Sequence, residues 1–210
     1  MFGGSVGASG VLVARKITPP GPGLAWHLRN RARFSYMWGI VATWLAKLLT
    51  KVTGIPTITS ALKVRLFKAD GQIVDYGVVS RRVVTNNGVG FIVTSWQNTT
   101  ELENMKYHGC GTGATAEAAG DSALVTESTT ALNPDSTRGT GTQTAPAANQ
   151  LTSTGTVTFD ASAAITEHGL FSQASTGGGV LWDRSVFSAI NVVSGDSIQF
   201  AYTATFTAGG

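Results

Sequence analysis

From Ser60 onward the chain alternates. Leu62, Val64 and Leu66 point one way and Lys63, Arg65 and Phe67 the other, the period of two that marks a strand with one buried and one wetted face. Asp70-Gly71 supplies a tight hairpin turn that returns the chain through residues 72–76. The same reading predicts strands over 78–85, with Arg81 and Arg82 at the middle, and over 89–96, joined by a turn at Asn86-Asn87-Gly88. Residues 97–105 are polar, and Asp121-Ser122-Ala123-Leu124 reads as a single capped turn of helix. Residues 126–149, rich in Thr, Ser, Gly and Pro, read as a long excursion with ragged edge strands around 137–144. Alternation resumes over 151–160, where Leu151, Ser153, Gly155, Val157 and Phe159 share a face. Three last strands, 165–171, 180–187 and 197–206, are expected side by side in a meander, linked by a Gly-rich turn at 176–179 and by Ser194-Gly195-Asp196. In the final strand Ile198, Phe200, Tyr202, Ala204 and Phe206 fall on one face. The pattern predicts a mainly β chain, with an antiparallel β-sandwich or jelly-roll-like domain over residues 58–210.

The first 57 residues read differently, as an arm followed by one amphipathic helix. Residues 1–24 are dominated by Gly and Pro, and Pro19-Pro20-Gly21-Pro22-Gly23 cannot continue a helix. The start is a poor match to a secretory signal, with no basic n-region and no apolar core of sufficient length. A helix is predicted over about 35–53, with Ser35 as its cap and Gly54 and Pro56 as its stop. Trp38, Val41, Ala42, Leu45, Leu48, Leu49 and Val52 share one face of it, while Trp44, Lys47 and Lys51 lie away from that face. The apolar window 34–46 is shorter than the roughly 18–20 residues a bilayer span needs. A helix docked on protein is the first reading. A helix at a membrane surface, with Arg29, Arg31 and Arg33 ahead of Trp38 and Trp44, is the alternative. The expected partner-binding set is therefore Trp26, Arg29, Arg31, Arg33, Trp38, Trp44, Leu45, Leu48 and Leu49, joined by Arg81 and Arg82.

Composition sharpens this picture. Only 13% of residues are charged, against about a quarter in a typical globular protein, which favours life within a permanent assembly. The net charge of +3 conceals an asymmetry: residues 1–106 hold 13 Lys and Arg against 4 Asp and Glu, and residues 107–210 hold 2 against 8. The basic residues are scattered through apolar sequence and form no Lys/Arg run, which suits a protein-facing surface better than specific nucleic-acid binding. The single cysteine, Cys110, excludes an intrachain disulfide and fits assembly in a reducing cytoplasm.

Signals for chemistry are weak. His27, His108 and His168 stand apart without metal-ligand spacing. Gly109, Gly111 and Ala114 imitate a dinucleotide fingerprint, but no βαβ unit surrounds them. Cys110 has His108 two residues away, a spacing that by itself establishes no general base. Glu167-His168 and Asp183-Arg184 fall on strands expected to be neighbours; they can form a dyad or an ion pair, and are read first as a cross-strand polar pair at the end of the sheet. No catalytic residue, cofactor or metal is expected, and the chain is read as not an enzyme.

Two phrases carry a resemblance. Lys106-Tyr107-His108-Gly109-Cys110-Gly111-Thr112-Gly113 is followed by Glu117, by Gly120-Asp121-Ser122-Ala123-Leu124 and by Glu127. Later come Ile165-Thr166-Glu167-His168-Gly169-Leu170-Phe171 and Leu181-Trp182-Asp183-Arg184-Ser185-Val186-Phe187. Together, across residues 62–207, they resemble a family of virion structural proteins encoded by tailed bacteriophages. The resemblance implies a capsid decoration (cement) protein on the virion surface, assembled in the host cytoplasm. Its partners would be the major capsid protein and neighbouring copies of itself, as a trimer if it sits on three-fold positions. A tail-associated, fibre-like or receptor-binding role is the alternative, and a membrane-surface protein the third. The arm and helix have no counterpart in the resemblance.

Overall fold

The computed structural model describes residues 32–81 and 84–209, with the side chains of 32–36 and 38 outside that description. A long helix, α1 (Ala32–Thr53), precedes a hairpin of β1 (Thr57–Phe67) and β2 (Ile73–Ser80). A second helix, α2 (Asn86–Trp96), and a 3-10 turn (Leu102–Asn104) lead to β3 (Tyr107–Gly111). After a long loop come β4 (Leu132–Asn133), β5 (Gly139–Ala147), β6 (Gln150–Phe159), β7 (Ala163–Phe171), β8 (Leu181–Val192) and β9 (Ser197–Thr207).

The strands form one antiparallel sheet in the order β2-β1-β9-β6-β5-β3-β7-β8, with β4 paired to β6. The sheet folds over at β5, whose first residues pair with β3 and whose remainder pairs with β6. The β1/β9/β6 half thereby faces the β3/β7/β8 half in a mainly β, sandwich-like arrangement. Contacts across the gap fix the two layers: Trp182 Nε1 donates to Tyr202 Oη at 3.0 Å, and the His168 and Phe200 rings meet at a tilt with centroids 4.5 Å apart. The inward faces are those the alternation predicts. Leu62, Val64, Leu66, Val157, Phe159, Ile198, Phe200, Tyr202 and Ala204 are all buried. Phe206 and Leu151, at the ends of their strands, are part of the exposed rim.

Four expectations need correction. Residues 89–96 are helix, not strand. Thr85 Oγ1 accepts from Gly88 N at 3.0 Å and caps α2, and Gly88 packs so tightly on Trp182 that a Cβ there would lie 2.6 Å from its carbonyl oxygen. This seat on β8 overrides the strand preference of the β-branched run. The preceding strand is likewise different: β2 continues from Ile73 to Ser80, so Arg81 follows its end and Arg82 lies outside the described residues. Residues 121–124 form no helical turn, because the Asp121 carboxylate binds Ala118 N and Arg184. The ragged edge expected near 137–144 is β5, an interior strand.

The final meander is also rearranged. β7 and β8 pair, but β9 crosses to the other layer and inserts between β1 and β6. The crossing is made by the Ser194-Gly195-Asp196 turn, where Gly195 has φ of +87°. Asp196 is buried there; its carboxylate accepts from Val193 N at 3.0 Å and from Ala69 N of the β1–β2 turn at 2.9 Å.

Candidate functional site

The large apolar side chains of α1 face away from the domain. The helix sits against β1, β2 and β8 through Gly39, Thr43, Ala46 and Thr50, which among its described side chains are the buried or half-buried positions. Their spacing of 4, 3 and 4 places them in one stripe. Gly39 allows the closest approach, since a Cβ there would lie 2.6 Å from the Arg81 carbonyl oxygen. Thr50 closes the far end by a 2.9 Å hydroxyl contact with Thr57, and Gly54, at φ +70°, ends the helix by donating to Thr50 O. At about 100° per residue, the opposite side carries Met37, Val41, Trp44, Leu45, Leu48 and Val52, flanked by Ile40 and Leu49. All eight are exposed, Trp44 by 63% and Val52 by 77%. A contiguous apolar face of this kind marks an interaction site.

Of the predicted partner-binding residues, the structure places Leu45, Leu48 and Leu49 on this one face, and Trp44, expected to lie away from them, stands on it too, because the domain claims the Gly39–Thr50 side of the helix. Trp38 lies on the same helix, its side chain outside the described residues, as is that of Arg33. Trp26, Arg29 and Arg31 lie outside the described residues altogether, as does Arg82. Arg81 stands beside the helix, lining a shallow hollow with Ile40, Thr43, Trp44 and Lys47. Ser35, expected to cap the helix, is inside it, since α1 begins at Ala32. Among the described residues no helix is long and apolar enough to cross a membrane.

The residues of the two quoted phrases converge elsewhere, in a buried clasp. Glu167 on β7 is fully buried and accepts from three backbone amides, Gly113 and Thr126 on Oε1 and Val125 on Oε2, at 2.8–3.1 Å. Arg184 on β8 binds Oε2 of the same carboxylate at 2.9 Å, then Asp121 Oδ2 and the Thr115 carbonyl. A second clasp pairs Arg138 with Glu127 through two parallel hydrogen bonds, while the same guanidinium covers the Phe171 ring and binds the Gln173 and Gly178 carbonyls. Gly111 and Gly113 leave room for Glu167, whose Oε1 would lie 2.8 and 2.4 Å from Cβ atoms at those positions. The pairing of Glu167 with Arg184 is thus an ion pair, as one of the two expected alternatives. It is buried rather than at the end of the sheet, and it holds the loop over 112–127. Both basic residues of the second half of the chain are consumed inside these clasps.

His168 and Asp183 take separate environments. His168 Nε2 meets His108 Nδ1 at 2.9 Å, and His108 Nε2 meets Ser153 Oγ at 2.9 Å. Burial lowers the His108 pKa to about 3, and burial with the neighbouring His108 holds His168 well below its ordinary value. Both rings are neutral at neutral pH. Asp183 accepts from the Ser60, Ser185 and Tyr202 hydroxyls, but its burial outweighs them and raises its pKa to about 8. Burial also pushes the Cys110 thiol up, with Glu127 and Glu167 adding to the shift, so it is held as a thiol and not as the nucleophilic thiolate. Among the described residues no three His, Cys, Asp or Glu side chains gather as metal ligands would.

These opposed shifts predict a stability maximum at mildly acidic pH. A histidine whose pKa is lowered by folding binds fewer protons folded than unfolded, so the stability it permits is complete above about 6.5 and falls as pH drops toward 3. Asp183 works in the other sense: with its pKa raised to about 8, the folded state holds the extra proton, and stability declines as pH rises from about 4 toward 8. Above that the decline from Asp183 ends. With two histidines against one aspartate, urea midpoints should peak near pH 6–7. Asp183→Asn should remove the alkaline decline, a difference of about 1 kcal/mol per pH unit across the window below pH 8. Equal pH profiles for the variant and the parent chain would contradict the neutral, buried carboxyl.

Comparison with known proteins leaves the chain without a neighbour. No family model, no curated protein and no solved structure matches it. The functional reading therefore rests on the geometry and on the sequence phrases. The stripe of Gly39, Thr43, Ala46 and Thr50 is a weaker sequence signal than the apolar face opposite it. Its signal was present as small residues at helical spacing.

Proposed function

We propose that this chain is a structural protein of a tailed-phage virion, a decoration or cement protein that binds the assembled shell through α1 and the segment before it. The observation that carries the reading is the orientation of α1. The helix rests on its small residues and turns its large apolar side chains outward, where a protein surface can bury them. Lys47 and Lys51 border that face, so an acidic rim on the shell protein would set the register of docking more than its strength. The clasps support the same reading. The residues of the phage-like phrases hold loops in place, and the neutral histidines, the protonated Cys110 and the buried Glu167 serve the interior of a rigid body. The proposed partners are the major capsid protein and adjacent copies of this chain, with a three-fold site as the expected location.

Quantifying the chain by mass spectrometry against the major shell protein of purified particles tests this. A copy number comparable to that of the shell protein is expected. A few copies per particle would sink the cement role in favour of the tail or the portal vertex. Absence from the particle would reject every virion role and leave the membrane surface as the place to look.

A further inference from the structure

A second feature lies at the opposite end of the chemistry, in an apolar cavity of about 280 Å3 between α2, the 3-10 turn and the inner faces of β6 and β9. Ile92, Leu102, Leu151 and Ala204 are among its walls. Trp96 also lines it and is 81% exposed. Among the described residues no charged side chain lines it. Of the buried polar side-chain groups around it, Trp182 Nε1 and Tyr202 Oη bond each other, which leaves the hydroxyl of Ser153 for an occupant; the indole N–H of Trp96 belongs to a side chain that is 81% exposed.

The direction in which that hydroxyl points follows from the histidine pair. Among the described residues His168 Nδ1 has no hydrogen-bond partner, and it is buried. A buried N–H without an acceptor is rarer and more costly than a vacant lone pair, so Nδ1 carries no hydrogen and the neutral ring is protonated at Nε2. His168 Nε2 then donates to His108 Nδ1, and His108 Nε2 donates to Ser153 Oγ. Ser153 accepts, so its own hydrogen is free to be donated into the cavity. The opposite polarity, in which Ser153 donates to His108 as a nucleophile would, requires an orphaned N–H on His168.

We propose that this cavity is a binding site for a small, uncharged, mostly apolar molecule carrying one hydrogen-bond acceptor, which the Ser153 hydroxyl engages. An engineered apolar cavity of about 150 Å3 takes up benzene, so the larger volume suits a two-ring or comparably sized aliphatic molecule. A charged ligand would be stripped of water with nothing to pair it. This site is independent of the docking face on α1.

Two probes of nearly equal shape, 1-tetralone and tetralin, differ by one carbonyl. Isothermal titration calorimetry on the full chain should show both binding, with dissociation constants of the order of 10–100 µM. Ser153→Ala should weaken 1-tetralone about five- to tenfold and tetralin by less than about twofold, since only the ketone uses the hydroxyl. Ala204→Leu fills the cavity from its wall and should abolish both while keeping a melting temperature at or above that of the parent chain. It thus tests the site even where Ser153→Ala disturbs the histidine pair. Failure of the parent chain to bind either probe would overturn the proposal, as would equal losses for both probes in Ser153→Ala. Self-association of the parent chain that disappears in Ala204→Leu would assign the cavity to a side chain of a second copy and overturn it too.

Discussion

Glu167→Ala is expected to destabilise the chain by about 3–5 kcal/mol, a large share of the roughly 5–15 kcal/mol by which a domain is stable. The substitution removes the acceptor of three backbone amides and leaves the Arg184 guanidinium buried with Asp121 and one carbonyl. Arg184→Ala should cost less, because Glu167 keeps its three amide donors and remains solvated by the backbone. The order of the two effects is the informative part. Urea unfolding gives both midpoints, and a larger loss for Arg184→Ala would refute the account of Glu167 as the hub. The loop over 112–127 should also become the first site of proteolytic cleavage in Glu167→Gln, whose side chain keeps one acceptor oxygen but presents an amide NH2 where the carboxylate had a second.

The double substitution Leu45→Asp with Leu49→Asp should leave the fold alone and abolish docking. Both side chains are about half exposed in the chain itself, so their replacement should move its stability by no more than about 0.5 kcal/mol per site. On a partner surface each leucine contributes about 1.5–3 kcal/mol by burial, and two carboxylates in their place would lose that and be desolvated in addition. Incorporation into particles should fall by a factor of 100 or more, read by the same mass spectrometry with the parent chain as reference. Unchanged incorporation would remove α1 from the interface. Liposome flotation of the same pair of chains separates the rival surface: strong binding of the parent that is lost in the variant, without a particle effect, moves the helix to a membrane.

Much of the sandwich was legible in the alternation, and the reason is local. Leu62, Val64 and Leu66, or Ile198, Phe200 and Tyr202, declare their buried face by a period of two that any inward packing must respect. What alternation cannot carry is the identity of the neighbour. β9 was expected beside β8 because they adjoin in sequence, whereas the Asp196 turn sends it across the core to pair with β1 and β6. α2 was misread for a related reason: Val89, Ile92 and Val93 prefer strand, and only Thr85 and the tight seat of Gly88 on Trp182 make the segment helical. The outward face of α1 was half legible. Its apolar stripe was evident, but a sequence does not state which side of a helix its own domain will claim. The histidine pair and Ser153 were hidden altogether, being drawn together from β3, β6 and β7 by the folding over of the sheet.

The place of β9 has a consequence for the order in which the molecule is made. Thr57 pairs with Thr207 and Gln150 with Thr205, so β9, which follows every other described strand in the chain, is the one that joins the β1–β2 hairpin to the rest of the sheet. Until it arrives, β1 and β6 each present an open edge with a row of unpaired amides and carbonyls. Closure of the sandwich is thus a late, long-range event of the kind that folds slowly. A chain that lacked β9 would be not a slightly shortened sandwich but two adhesive halves.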